Sequence, residues 1–122
     1  MDKILHINAC FKEGSRTDEL TQHLLSNLNG QIQSINLKHG NTDDELFCMA
    51  RRFAEADTIV ISAPYWDLLF PAVLRIYLEN ITVCGITFRY SEKGIPEGLC
   101  KAKKLYYVTT AGGFIGENNF GF

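Results

Sequence analysis

The sequence predicts an α/β fold, a parallel β-sheet layered between helices in a three-layer sandwich. Two observations carry this. Hydrophobic periods of two and of 3.6 alternate along the chain in the order β-α-β-α-β-α-excursion-β. Strands joined through helices cross over right-handedly, which makes them parallel neighbours with helices on the sheet faces. The length, 122 residues, suits one core, so residues 1–122 are expected to form a single domain. No repeat, low-complexity tract or linker interrupts the pattern.

The elements follow in order. Ile4-Leu5-His6-Ile7 is a short run suited to a strand covered on both faces. Gly14-Ser15-Arg16-Thr17 breaks it, and Leu20, Leu24, Leu25 and Leu28 follow at helical spacing. Ser15 with Asp18 fits a capping box, Asp18 and Glu19 favour the positive end of the helix dipole, and Gly30 is expected to end the helix. Residues 32–37 read as the second strand. Thr42 and Glu45 form another capping-box pattern before Leu46, Met49, Ala50 and Phe53, the face of a second helix. Thr58-Ile59-Val60-Ile61-Ser62 is a β-branched strand closed by Pro64. A third helix is expected over 71–82, with Leu74, Tyr77, Leu78 and Ile81 facing inward. Ile86-Thr87-Phe88-Arg89-Tyr90 and the turn residues Glu92-Lys93-Gly94 suggest a small hairpin or extended excursion. Leu105-Tyr106-Tyr107-Val108-Thr109 is the fourth strand of the main sheet.

Composition removes several classes of function. Apolar residues make up 46% and charged residues 21%, which argues for a packed chain over a disordered one. The net charge is −2 and the basic residues are scattered, so the basic stripe of a nucleic-acid binder is missing. The longest nearly apolar stretch, 58–83, is broken by Asp67, Pro71, Arg75 and Glu79, and no segment suits a bilayer. Met1-Asp2-Lys3 leads straight into a strand, so no leader is expected and the cytoplasm is the expected location. Cys10, Cys48, Cys84 and Cys100 lie far apart and His6, His23 and His39 are dispersed. The expectation is reduced thiols, most of them buried, and no metal site.

In a parallel sheet, ligands bind beyond the carboxyl ends of the strands, where strand order reverses. Three loops meet that condition. The first, Gly14-Ser15-Arg16-Thr17, opens a helix whose free N–H groups suit a phosphate, with two hydroxyls and a guanidinium to add; plain helix capping suits Ser15 and Thr17 as well. It carries no P-loop or dinucleotide fingerprint, which counts against ATP or tightly held NAD. The second, Ala63-Pro64-Tyr65-Trp66-Asp67-Leu68, sets two aromatics at a strand end, fit to line a planar ring; a packed turn with Asp67 capping the third helix is the alternative. The third, Thr109-Thr110-Ala111-Gly112-Gly113, has two glycines that let the backbone approach a ligand, or that simply make a flexible turn. Together, a phosphate at the first loop and a flat ring at the other two describe a mononucleotide with an aromatic head.

Four segments resemble the FMN-dependent NADH-azoreductases and NAD(P)H:quinone oxidoreductases. They are Ala63-Pro64-Tyr65-Trp66-Asp67, Gly85-Ile86-Thr87-Phe88-Arg89-Tyr90, Pro96-Glu97-Gly98-Leu99 and Thr109-Thr110-Ala111-Gly112-Gly113. Members show P-M-Y-N-F, G-V-T-F-R-Y, G-P-E-G-L and T-S-R-G-G at corresponding places. The similarity covers essentially the whole chain and is thin between the first and third strands. It implies a flavodoxin-like fold with strand order 2-1-3-4, and FMN as cofactor with NADH or NADPH as donor. It implies Ser15, Arg16 and Thr17 at the FMN phosphate, with Cys10 where relatives often have a serine. Pro64, Tyr65, Trp66, Asp67 and Leu68 would flank the ring and ribityl, Leu68 replacing an aromatic. Thr110, Ala111, Gly112 and Gly113 would meet the ring edge, and Tyr90 would border the substrate pocket. The chemistry it implies is a ping-pong cycle: NADH reduces the flavin at N5, and a quinone or azo compound then takes two electrons, with no general acid or base from the protein.

The family pattern also implies a homodimer, and a fifth strand with further helices after the equivalent of Phe122. Their loss would leave the fourth strand as an apolar edge, and the expectation is a dimer or an exchanged assembly that compensates, or else a truncated piece of a longer chain. The alternative function is a shortened flavodoxin-like domain that folds and oligomerises without turnover. A pure electron carrier fits less well, because flavodoxins are typically strongly acidic. A response-regulator receiver needs acidic residues after the first strand, where this chain has Asn8-Ala9-Cys10.

Overall fold

A computed structural model describes residues 2–10, 14–37, 43–65 and 69–110. The elements are β1 (Lys3–Asn8), α1 (Arg16–Ser26), β2 (Gln31–Asn36), α2 (Asp43–Glu55), β3 (Thr58–Ser62), α3 (Ala72–Ile81), β4 (Phe88–Tyr90), β5 (Pro96–Gly98) and β6 (Lys104–Val108). The main sheet runs β2-β1-β3-β6, all parallel, which is the expected order with β6 as the fourth strand. The excursion is the expected hairpin: β4 and β5 pair antiparallel, Phe88 opposite Gly98 and Tyr90 opposite Pro96.

β1 lies at the centre, with Ile7 opposite Ile35 on one side and Ile61 on the other. Because side chains alternate along a strand, Leu5, Ile7 and Ala9 face one layer and Ile4, His6, Asn8 and Cys10 the other. The first set packs with Ile59, Ile61, Met49, Leu74, Tyr77 and Ile81 beneath α2 and α3. On the opposite face Ile4 and Val60 meet Leu25 of α1, flanked by Leu24, Leu28, Tyr106 and Val108. Burying each of the larger aliphatic side chains contributes about 1.5–3 kcal/mol.

The inward face of α3 is the expected one, with Leu74, Tyr77 and Ile81 buried. Thr87 explains how this helix stops: its Oγ1 donates to Ile81 O at 2.7 Å and accepts from Val83 N at 3.0 Å. Thus the threonine of the Gly-Ile-Thr-Phe-Arg-Tyr segment closes the end of α3 and feeds the chain into β4.

Four local expectations differ from what is observed. Leu20 is 53% exposed, and the buried face of α1 is Thr17, Thr21 and Leu25. Gly30 does not cap α1, which ends at Ser26 with Asn27 as its C-cap. Its lack of a side chain serves close packing instead, since a Cβ there would stand 2.5 Å from Asp2 O and 2.9 Å from Ile4 Cδ1. Pro71, not Asp67, is the N-cap residue of α3. All four cysteines are free, but only Cys10 is buried, while Cys48, Cys84 and Cys100 are exposed. The second capping-box pattern rests on Thr42, outside the described residues.

Candidate functional site

The carboxyl ends of β1, β3 and β6 lie side by side, and their ladder continues past the strands. Ala9 N donates to Ser62 O at 2.8 Å, Ala63 N to Val108 O at 3.0 Å, and Tyr65 N to Thr110 O at 3.1 Å. Thr17 at the start of α1 joins the same assembly, its Oγ1 lying 2.7 Å from Thr110 Oγ1. The three loops singled out in the sequence are therefore bonded to one another at one edge of one sheet. Thr110 binds both of the others.

The first loop turns into α1 at Gly14, whose φ of +69° strains any residue with a side chain. Ser15 is the N-cap, its Oγ accepting from Asp18 N at 3.3 Å, as the capping reading expects. The first internal bond of the helix is Glu19 N to Ser15 O, so the N–H groups of Arg16 and Thr17 have no acceptor within the helix. These groups and the exposed Arg16 guanidinium suit a phosphate. Asp18 and Glu19 on the same turn oppose it, and Asp18 Oδ1 is buried with no hydrogen-bond partner among the described residues. Thr109 Oγ1, at the third loop, is likewise buried and lies against the Tyr107 hydroxyl. Donors without an acceptor inside the helix, beside the buried hydroxyls of Thr17 and Thr109, fit a polar ligand.

Beneath the loops lies a polar cluster that sequence reasoning did not single out. His6, 1% exposed, places Nε2 2.8 Å from Ser62 Oγ and Nδ1 3.2 Å from Ser34 Oγ. Asn8 Oδ1 accepts from Cys10 N at 2.9 Å and from Ser62 Oγ at 3.4 Å. Burial pushes the Cys10 thiol up, against hydrogen bonds with Ser15 and Ser62, so it stays protonated near neutral pH. The signal was the alternation itself, since His6, Asn8 and Cys10 occupy every second position of one strand face.

Burial also pushes the His6 imidazole below its ordinary value of 6.5, with the Asp18 charge acting the other way. The folded chain then binds fewer protons at His6 than the unfolded chain as pH falls past 6.5, so stability falls with pH and levels off below the lowered folded value. Urea midpoints are expected to decline from pH 7.5 to pH 5.5 in the wild type and to decline less in His6→Gln. Equal slopes in the two proteins would assign the decline to other groups.

Cys10, Ser15, Arg16, Thr17, Pro64, Tyr65 and Thr110 all stand at this edge, whereas Trp66, Asp67, Leu68, Ala111, Gly112 and Gly113 lie outside the described residues. Tyr90 stands on the hairpin, 58% exposed, its ring edge-on to Phe88 at 5.3 Å between centroids. Beside it Arg89 and Glu97 pair at 3.1 Å along an open hollow of about 640 Å³. Among the described residues, no hydrogen bond or ring contact ties Tyr90 to the three loops. No group of metal-ligating side chains occurs among them, and no described helix is long and apolar enough to cross a membrane.

Comparison with known proteins matches residues 2–121 to the family described as flavodoxin-like fold. The FMN-dependent NADH:quinone oxidoreductase 2 of Clostridium acetobutylicum is 46% identical over 78 residues, covering 64% of this chain and 38% of its own. The FMN-dependent NADH:quinone oxidoreductase of Lachnoclostridium phytofermentans is 35% identical over 96% of this chain and 72% of its own. This chain thus spans 38% and 72% of the lengths of these two relatives. The second alignment runs over 144 positions, more than the 122 residues here, so that relative has residues inside the span without counterparts in this chain. The crystal structure of azoreductase from Bacillus anthracis str. Sterne superposes with a TM-score of 0.80 at 23% identity, covering 97% of this chain and 73% of that one. At that identity the likeness speaks to the fold.

Proposed function

This chain belongs to the flavodoxin-like family that includes the FMN-dependent NADH:quinone oxidoreductases, and from that membership we propose that residues 1–122 form one FMN-binding domain passing electrons from NADH or NADPH to a quinone or azo acceptor. The observation that carries the proposal is the bonding of all three strand-end loops at Thr110 beside the α1 N–H groups that have no acceptor within the helix. FMN, when bound, supplies an isoalloxazine that accepts a hydride and gives two electrons to the acceptor. The protein binds and orients it. Arg16 and the N–H groups of Arg16 and Thr17 hold the phosphate, with the Ser15 and Thr17 hydroxyls and Cys10 beside it. Pro64, Tyr65, Trp66, Asp67 and Leu68 flank the ring and ribityl. Thr110, Ala111, Gly112 and Gly113 meet the ring edge, and Tyr90 borders the acceptor pocket. No side chain is assigned proton transfer. A homodimer in the cytoplasm completes the reading.

The test is a visible absorbance spectrum of the purified chain, titrated with FMN and then given NADH under anaerobic conditions. Flavin that binds and bleaches supports the reductase. Flavin that binds and stays coloured favours a flavodoxin-like domain without turnover, a reading favoured by the relative's residues that have no counterpart here. Absence of binding at high micromolar FMN overturns the cofactor assignment.

A further inference from the structure

The polar chain beneath the first loop can be read in one direction, in which the Ser62 proton goes to Asn8 and not to the Cys10 thiol or the imidazole. Cys10 N is a donor, so the Asn8 atom 2.9 Å away is the amide oxygen. That oxygen only accepts, so Ser62 donates its single proton to it. With that proton used, Ser62 Oγ accepts from the imidazole at 2.8 Å, which puts a hydrogen on His6 Nε2. A neutral imidazole then has Nδ1 as an acceptor, and Ser34 donates to it at 3.2 Å. The run is Ser34 O–H to Nδ1, Nε2–H to Ser62, Ser62 O–H to Asn8 Oδ1, with Cys10 N–H closing on the same oxygen. It crosses three neighbouring strands, from an exposed serine on β2 to the backbone amide of Cys10, two residues past the end of β1.

We infer that His6 is a positioning residue: by holding Ser62 and Asn8 it sets the Cys10 amide, and with it the direction in which the phosphate-facing loop leaves β1. A histidine serving only to fill the core would need one partner on each nitrogen and nothing beyond. Here Ser62 passes the constraint on to Asn8, and the chain ends at the backbone amide of Cys10. The charged group facing the imidazole from the packed helix is Asp18 of α1, with the neutral Cys10 thiol, Ser34 and Ser62 contributed by the strands. Asp18 leaves the chain undisturbed above the imidazole's lowered titration range. The service to the phosphate rests on the proposed function; the hold on Cys10 does not.

Both parts are tested on the whole chain. In the apoprotein at pH 7.5, imidazole ¹⁵N shifts are expected to report the Nε2–H form of His6. Exchange of the Cys10 amide is expected to quicken about tenfold in His6→Leu, the size of one net hydrogen bond. His6→Gln, which keeps a side-chain N–H to offer Ser62, is expected to restore slow exchange. Ser34→Ala, on the exposed edge strand, loosens the tautomer without opening the core and guards against a His6→Leu protein that fails to fold. In FMN titrations His6→Leu and Ser62→Ala are each expected to weaken binding about tenfold, and the double variant no more than either, because the two act through one chain. Unchanged Cys10 exchange in both His6→Leu and Ser34→Ala overturns the positioning role. Multiplying effects in the double variant, or none, with the wild type binding FMN, overturn the link to the cofactor alone. A wild type that does not bind FMN overturns the proposed function and that link, and the exchange data then decide the hold on Cys10.

Discussion

Ile7→Ala is expected to lower the unfolding free energy by about 2–5 kcal/mol, a large part of the roughly 5–15 kcal/mol available to such a domain. Ile7 is fully buried in the central strand, opposite Ile35 and Ile61 in strands bonded on either side. Those neighbours are fixed by the ladder, so they cannot close over the space an alanine leaves, and the cavity adds to the lost burial. Ile32→Ala provides the comparison. Ile32 lies on the outer strand β2 and is 42% exposed, so truncation there is expected to cost about 1 kcal/mol by the area removed from water. Urea unfolding of the two variants at pH 7.5 measures both; equal midpoints would mean that the sheet centre relaxes as freely as its edge.

Thr17→Val should weaken FMN binding at least tenfold and cost about 1–3 kcal/mol of stability. Valine matches the shape of threonine but removes the Oγ1 that meets Thr110, leaving a hydroxyl without its partner. Under the proposed function the same substitution also takes a donor from the phosphate. Thr21→Val separates the two effects. Thr21 is equally buried and donates to Thr17 O at 2.7 Å, one turn further from the loops. It is expected to cost comparable stability while leaving FMN affinity within about threefold of wild type, a difference under 1 kcal/mol. Parallel urea and FMN titrations decide it, and equal losses of affinity would make the effect one of folding alone.

The strands and the helices were legible because their signals are local, whereas the sheet order came with the family resemblance. The 58–62 strand announces itself by β-branched residues, and α3 by Leu74, Tyr77 and Ile81 at helical spacing. What misled was polarity that is satisfied inside. Thr17 and Thr21 take the buried side of α1 because their hydroxyls find partners there, and Leu20 is turned outward as a result. A hydropathy pattern records the hydroxyl and not the partner contributed by residue 110. His6 is illegible in the sequence for the same reason, since its partners Ser34 and Ser62 are 28 and 56 residues away. Glycine commonly ends helices, which is all the sequence shows of Gly30, while its actual constraint is the backbone of Asp2 across the sheet. The candidate loops were placed correctly at one edge, because right-handed parallel connections leave no other end for them.

One residue, Thr110, meets Thr17 through its hydroxyl and Tyr65 through its carbonyl. A mononucleotide lying across these loops would have its tail and its head gripped by segments that share a single hinge-pin. The two grips then tighten or slacken together. Riboflavin, which has the head without the phosphate, would forgo more than the phosphate's own contacts, since the segment around the empty tail position also steadies the wall beside the ring. Affinity in such a cradle belongs to the whole molecule and does not divide into fragments, a property that favours a cofactor kept in place over one readily exchanged.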